Sequence, residues 1–308
     1  MAVDRIFKLG SRGSPLALTQ AGMVRDALMA VSGWTRQGWD DVEIVVVRTT
    51  GDRVQDRALA EIGGKALWTK ELDRALIAGE VDACVHSMKD VETIRPLEIA
   101  IAAMLPRADV RDRLIGAESI DALPPGAVVG TSSPRRRAQL LRQRPDLQIV
   151  LFRGNIDTRL GKLATGEVDA TLLAAAGLDR IGRHDTGIPI ETHTMLPAPA
   201  QGAVGIETLA DTPVRALVAA INCDNTHACV LAERALLAAL GASCHSPVGA
   251  LARREGNGMT LAAELLDEDG TANVTALLAG EDGPTLGAAL AADLLDRAPP
   301  SVRRLFAG

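Results

Sequence analysis

The stretch GEVDACVHSMKD, residues 79–90, decides the fold. Gly79 is placed to end a helix, and Ala83, Cys84 and Val85 are short and apolar, as a strand covered on both faces requires. The polar run after them, His86 to Asp90, falls at the carboxyl end of that strand, where open α/β sheets hold their ligands. The first five letters recur as GEVDA at 166–170, again after a helical pattern and before an apolar run at 171–176. Two copies predict a duplicated α/β unit. Taken alone, Asp90 fits equally well as a turn cap or a partner of Lys89.

Working outward, residues 5–10 read as a strand, and in the turn SRGSP Ser14 can cap a helix whose first position is Pro15. That helix runs to about 31, with Ala21, Val24 and Leu28 on its core face. Arg12 and Ser14 at its mouth suit a carboxylate or phosphate. A second strand is expected at 42–48, followed by TTGDRVQDRALAEIGGK, 49–65, a mobile-loop candidate with glycines amid charges. Trp68, Leu72, Ala75 and Leu76 then stripe a helix. Residues 98–105 read as a third strand and 106–114 as a hinge or crossover.

The second unit repeats the plan: a strand at 127–130, TSSPRRR, and a helix to 144 capped by Thr131, Ser132 and Ser133 with Pro134 in its first turn. Between 131 and 162 eight Arg or Lys stand against Asp146 and Asp157, a large local excess of positive charge in a chain whose net charge is −6. Arg142 and Arg144 read as solvated helix face. Arg135 and Arg136 sit at the helix start, where the positive pole repels cations, so a bound anion is the expected reason for them. A strand at 148–152 leads to Arg153 and Arg159 in RGNIDTR, and Arg180 follows AAAGLD. LPAPAQGAVGIE, 196–207, suits a segment crossing between domains. Helices at 211–222 and 224–240, strands near 247–253, 258–266 and 273–279, and a helix at 284–296 predict a small α+β domain.

Composition narrows the function. A chain of 308 residues with 47% apolar content is globular and long enough for two or three cores. Its acidity and its three Trp, three Phe and no Tyr argue against nucleic acid. No apolar run approaches a membrane span, and the first ten residues carry no signal core, so a cytoplasmic protein is expected. Cys84, Cys223, Cys229 and Cys244 lack CxxC spacing. With no GxxxxGK[ST] or GxGxxG loop, the arginines predict a clamp for a small molecule bearing several carboxylates. Asp90 inside such a clamp suits a reaction that develops a cation. Cys244, on a loop after Gly241, is the thiol placed for covalent work. Two other readings stay open: a ligand-binding module built from the same duplicated lobes, and a metal site from His227, Cys229, Cys244 and His245.

RGSPLALTQA, GGKALWTKELD, VHSMKDV, GTSSPRRRAQL, RGNIDTRLGKL, AAAGLDRIG and PAPAQGAVGIE resemble, in order, the sequence blocks of the porphobilinogen deaminases, along nearly the whole chain. The resemblance implies two periplasmic-binding-protein-like α/β domains, at 1–105 with 203–220 and at 106–202, and a C-terminal α+β domain at 221–308. It implies a dipyrromethane cofactor held by a thioether at Cys244 and extended by four porphobilinogen units, ammonia being lost at each addition and hydroxymethylbilane released by hydrolysis. Asp90 would be the catalytic carboxylate. Arg12, Ser14, Lys89, Thr131, Ser133, Arg135, Arg136, Arg153, Arg159, Arg180 and Gln201 would serve acetate and propionate groups, with Lys65 in a flexible lid. No metal is implied, and the enzyme would be a cytoplasmic monomer without nucleic-acid or membrane partners. The chain departs from the family pattern at Glu61, where lysine is usual, at Ala200, where glycine often precedes the glutamine, and at Ala242 and Ser243, where glycines are usual.

Overall fold

The computed structural model describes residues 6–31, 41–48, 69–256 and 258–306. Lys65, Glu61, Trp68 and the expected loop at 49–65 lie outside the described residues. The chain divides into two compact units, Met1–Arg107 with Ala203–His227, and Ala108–Gly202 with Ala228–Gly308.

Unit 1 is built on a five-stranded sheet ordered β2-β1-β3-β10-β4. Its strands are β1 (Ile6–Ser11), β2 (Asp41–Val46), β3 (Ala83–Ser87), β4 (Ile99–Met104) and β10 (Val204–Leu209). Helix α1 (Pro15–Met29) starts as its sequence requires, the Ser14 hydroxyl accepting from the Ala17 N–H at 3.3 Å. It buries Ala21, Val24 and Leu28 against Phe7, Leu9, Val85 and Ile206, each Val, Leu, Ile or Phe side chain among them contributing about 1.5–3 kcal/mol. Helix α2 (Lys70–Ile77) buries Leu72, Ala75 and Leu76. Gly79, at φ 69°, then takes the left-handed turn into β3.

Unit 2 repeats that sheet strand for strand, in the order β7-β6-β8-β5-β9. Here β5 is Asp112–Ile115, β6 Val128–Gly130, β7 Gln148–Val150, β8 Ala170–Ala174 and β9 Ile188–Ile190. In each sheet three parallel strands are followed by two antiparallel pairings. Helices α3 (Pro134–Gln143), α4 (Ile156–Ala164) and α5 (Ala175–Arg180) flank the second sheet. Gly166, at φ 74°, repeats the role of Gly79.

The two GEVDA copies do the same physical work. Asp82 Oδ2 accepts the Lys8 N–H at 2.8 Å while its own N–H donates to the Lys8 carbonyl. Asp169 Oδ2 accepts the Val128 N–H at 2.7 Å and its N–H donates to the Val128 carbonyl. Each aspartate thus staples the entry of its strand to the parallel neighbour and sets the register in which the two strands end.

Three expectations are corrected. Residues 106–114 and 196–207 are not wholly crossovers: they run into β5 and β10, the antiparallel fourth strands of the two sheets. The strand β9 was not foreseen because Pro189 lies in it, and an edge strand tolerates a proline that a central one would not. Arg142 and Arg144 are not solvated face. Arg142 pairs with the buried Glu264, and Arg144 donates to the carbonyls of Ile120 and Leu123 at 3.0 Å and to Asp146.

After α6 (Pro213–Ala219), helix α7 (Asp224–Ala239) leads into the C-terminal layer, an antiparallel sheet of β11 (Val248–Glu255), β12 (Gly258–Leu266) and β13 (Asn273–Gly280) covered by α8 (Gly283–Arg297) and α9 (Pro300–Arg303). Leu236, Leu261, Leu265 and Leu290 form its core. Among the described residues no helix is long and apolar enough to cross a membrane.

Met88, 1% exposed, fills the hollow left by Gly205 on β10, and a Cβ there would run into its sulfur. Gly205→Ala is therefore expected to cost about 1–3 kcal/mol of stability by overpacking, read from a urea melt, and to displace the turn that carries Lys89 and Asp90.

Candidate active site

In unit 1 the site is the carboxyl edge of the parallel strands. Strands β1 and β3 are neighbours in register, Gly10 beside Cys84, so Arg12 and Ser14 after the one and Lys89 and Asp90 after the other leave the same edge. Met88–Asp90 form a single 3-10 turn, fixed by the Met88 N–H donating to the Ala203 carbonyl at 3.1 Å. The buried Gln20 of α1 reaches across to Ser87, its Nε2 donating to Oγ at 2.8 Å. Asp90 is half-buried, and among the described residues neither a hydrogen bond nor an ion pair engages its carboxylate. Among the described residues it neither caps a turn nor pairs with Lys89.

In unit 2 the equivalent edge collects the arginines. Ser133 caps α3 by accepting from the Arg136 N–H at 3.4 Å, and buried Thr131 accepts from the Ser133 N–H at 3.2 Å. Asn155 caps α4. Arg159 donates through Nε to the Gly154 carbonyl at 3.0 Å. Arg180 donates to the Gly202 carbonyl at 2.7 Å, and burial pushes its pKa down. Among the described residues, Arg153 Nη1 and Arg180 Nε are buried without a hydrogen-bond partner, as are Arg135 Nε and Arg113 Nε, whose terminal nitrogens are held by Asp112 and Asp179. Such atoms are costly unless something completes them.

Arg135 and Arg136 correct the sequence reading most directly. The anion that offsets them is internal: Asp112 of β5 takes Arg135 Nη2 on Oδ2 and Arg136 Nη2 on Oδ1, each at 2.8 Å, and all three are buried. Burial pushes the Asp112 carboxyl up, but the two guanidinium groups outweigh it and hold it far below the carboxylate range. Gln201, 1% exposed, donates to the same Oδ1 at 2.8 Å and to the Val110 carbonyl at 2.7 Å. Two cations on one anion leave the cluster with one positive charge. Asp112 was missed because it lay in a stretch read as a crossover, where an acid between arginines looks like ordinary surface.

The four thiols separate by environment. Cys84 is buried, and desolvation followed by Glu207 pushes its pKa well up. Cys229 is buried and Cys223 half-buried against Thr226. Cys244 is exposed, on a turn in which Ser246 Oγ accepts from the Ser243 N–H at 3.1 Å and Ser243 Oγ from the His245 N–H at 3.2 Å. Ser243, which departs from the family pattern, thereby braces the turn. Among the described residues no group of three His, Cys, Asp or Glu is arranged to hold a metal ion.

Removing Asp112 strands two buried cations, so Asp112→Ala is expected to lose about 3–5 kcal/mol in chemical denaturation. Because its folded pKa is depressed, the contribution of Asp112 is fully present above pH of about 4 and is lost as the pH falls below that. Wild type should therefore lose stability more steeply than Asp112→Ala on acidification below that pH; parallel profiles would refute the pairing.

Comparison with known proteins gives the family of the chain. Residues 7–215 match the family model "Porphobilinogen deaminase, dipyromethane cofactor binding domain", and residues 227–296 match "Porphobilinogen deaminase, C-terminal domain". The chain is 54% identical to the porphobilinogen deaminase of Sphingopyxis alaskensis, over 99% of this chain and 98% of the relative. It is 49% identical to that of Paracoccus denitrificans, over 95% of each. Among solved structures it has a distant likeness to an ancestral cationic amino acid solute-binding protein, at 14% identity and a TM-score of 0.43, covering 70% of this chain and 86% of that one. The chain belongs to the porphobilinogen deaminase family, transferases whose first domains bind a dipyrromethane cofactor.

Proposed function

We propose that Asp90 is the carboxylate that carries the hydroxymethylbilane synthase reaction in this chain, and that Cys244 holds the dipyrromethane. The observation behind this reading is a half-buried acid with no partner among the described residues, at the carboxyl edge of a parallel sheet beside Lys89. When porphobilinogen loses ammonia, positive charge spreads onto its pyrrole nitrogen. A fixed carboxylate accepts that N–H and stabilises the charge better than water, which must reorganise. Met88, locked against Gly205, sets where the carboxylate stands.

The residues present fit the cofactor. It bears carboxylates, and Arg153 Nη1 and Arg180 Nε are buried donors still to be completed. Arg12, Ser14, Lys89 and Arg159 add donors, and the Arg135–Arg136–Asp112 cluster adds a net positive charge. In this reading Arg135 and Arg136 act with Thr131, Ser133 and Gln201 as a rigid cationic base, and Lys65 supplies a further cation. When bound, the dipyrromethane supplies the pyrrole carbon to which the first substrate unit is joined. Cys244, exposed and on a braced turn, is the thiol able to hold it.

Residues 1–105 with 203–220 would then carry the catalytic acid, 106–202 the arginines and 221–308 the attachment cysteine. The protein is read as a cytoplasmic monomer acting on small-molecule substrate, without nucleic-acid or membrane partners, in keeping with its net charge of −6.

Asp90→Ala should leave a folded protein whose turnover falls by about 10²-fold or more, with Asp90→Glu impaired less; near-normal turnover of the alanine variant would overturn the assignment. Intact mass spectrometry should show an adduct of two linked pyrroles on the purified protein, mapped to the Cys244 peptide and absent from Cys244→Ser. An adduct on another cysteine, or an unmodified active protein, would sink the attachment site.

A further inference from the structure

The segment that leaves Asp90 is anchored in an unusual way. Residues 92–98 leave their two large apolar side chains in water, Ile94 at 75% and Leu97 at 95% exposure, so the stretch has little core of its own. What turns inward is Arg95, whose side chain is 8% exposed. Its Nε and Nη2 donate to the two oxygens of Glu207, each at 2.8 Å, a bidentate fork onto a fully buried carboxylate of β10. Nη2 also donates to Asp73 Oδ1 at 2.5 Å, and Nη1 to Glu92 Oε2 at 2.7 Å. The Thr69 hydroxyl donates to the same Glu92 oxygen at 2.7 Å. His86 Nε2 lies 3.2 Å from Glu207 Oε2 on the adjoining strand.

The fork meets two requirements at once. Burial alone would push the Glu207 carboxyl up; His86 and Arg95 reverse this and bring it down to about 2. The geometry also ties four pieces of chain to one planar group: the residues just before α2 (Thr69), α2 itself (Asp73), the exit from the Asp90 turn (Glu92, Arg95) and β10 (Glu207). The entrance to that turn is held separately by Met88, through the Ala203 carbonyl and the Gly205 hollow. Asp90 therefore stands between two fixed points, and the second is made of charge-assisted hydrogen bonds rather than apolar packing.

We infer that Arg95 is a positioning residue for the reaction: through Glu207, Asp73 and Glu92 it holds the exit of the Met88–Asp90 turn, so that the Asp90 carboxylate is set in place before substrate arrives. The inference rests on the assignment of Asp90 as the catalytic carboxylate. Lysine, a point charge without the fork, cannot grip both oxygens of Glu207 together with Asp73 and Glu92.

The test compares Arg95→Ala, Arg95→Lys and Glu92→Gln on primer-loaded protein, with loading verified by intact mass, recording kcat and KM for porphobilinogen alongside thermal unfolding. Expected is a fall in kcat of at least tenfold for Arg95→Ala with KM within about twofold of wild type, and partial rescue by lysine. Glu92→Gln removes one charged arm and leaves the buried fork in place, so it should lower kcat severalfold with little change in the unfolding midpoint; it decides the matter if Arg95→Ala does not fold. Folded, loaded variants with wild-type kcat, whatever their stability, would show that Arg95 is structural only. A raised KM at unchanged kcat would likewise overturn the inference. If Asp90→Ala is inactive while these variants are normal, the inference fails and the Asp90 assignment stands; an active Asp90→Ala removes both.

Discussion

A guanidinium taken out of water must meet an anion, and much of this structure is arranged around that requirement. Asp112 answers for Arg135 and Arg136, Glu207 with Asp73 and Glu92 for Arg95, and Glu264 for Arg142. Each of these carboxylates also fixes separate stretches of chain to one another, because a planar fork accepts little displacement before its hydrogen bonds fail. Glu264, for example, receives Arg142 and Gln139 from α3 and Asn273 from β13, and so seats the C-terminal sheet on the second α/β lobe. Arg153 and Arg180 are different: each keeps a buried donor uncompleted, and neither has an ion pair with a carboxylate among the described residues. A ligand with several carboxylates would complete them, as the reading proposed above requires.

The duplicated sheets explain why the site is assembled at strand ends. The paired aspartates of the GEVDA repeats fix where β3 and β8 begin against β1 and β6, and strands that begin in register also end in register. Residues following those ends converge without needing contacts of their own. In both sheets the fourth, antiparallel strand is the one reached directly from a crossing segment, β5 after residue 107 and β10 after residue 202. Those two strands also carry the buried acids, Asp112 and Glu207, that hold the arginine clusters. The crossings thus deliver the anions as well as the chain.

What was legible in the sequence was local. Ser14 and Ser133 read as caps, Gly79 and Gly166 as helix stops, and the C-terminal order of helix, three strands and helix came through because capping, left-handed glycine and period-two patterning act within a few residues. What was hidden depended on partners far along the chain. Arg142 and Arg144 carry no sign in their own surroundings that one meets Glu264, 122 residues on, and the other a ring of carbonyls about 20 residues back. Arg135 and Arg136 were noticed for a sound reason, cations at a positive helix pole, but electrostatics at that level cannot say whether the compensating anion is a ligand or the protein's own aspartate. Asp112 and Arg95 were passed over because each lies in a short charged stretch close to a proline, where solvated loop is the ordinary expectation.

Ala200 shows how these levels meet. At φ 60° it is the only residue other than glycine in the left-handed region among those described, a conformation that costs an alanine about 1–2 kcal/mol. The strain is held from two sides. The Ala200 N–H donates to Glu233 Oε2 at 2.6 Å, and the other oxygen of Glu233 accepts from the Ala252 N–H at 2.7 Å, so a buried carboxylate on α7 grips both the bend and strand β11. Immediately after the bend, Gln201 turns its amide onto Asp112, beside the two arginines. A relaxed, extended residue at 200 would carry Gln201 away from that carboxylate and leave a lone pair of Asp112 for the arginines to satisfy alone. The left-handed alanine is thus the local cost of seating Gln201 against a charge cluster already fixed by longer-range pairing, and Glu233 offsets it with two charge-assisted bonds in a site that water does not reach.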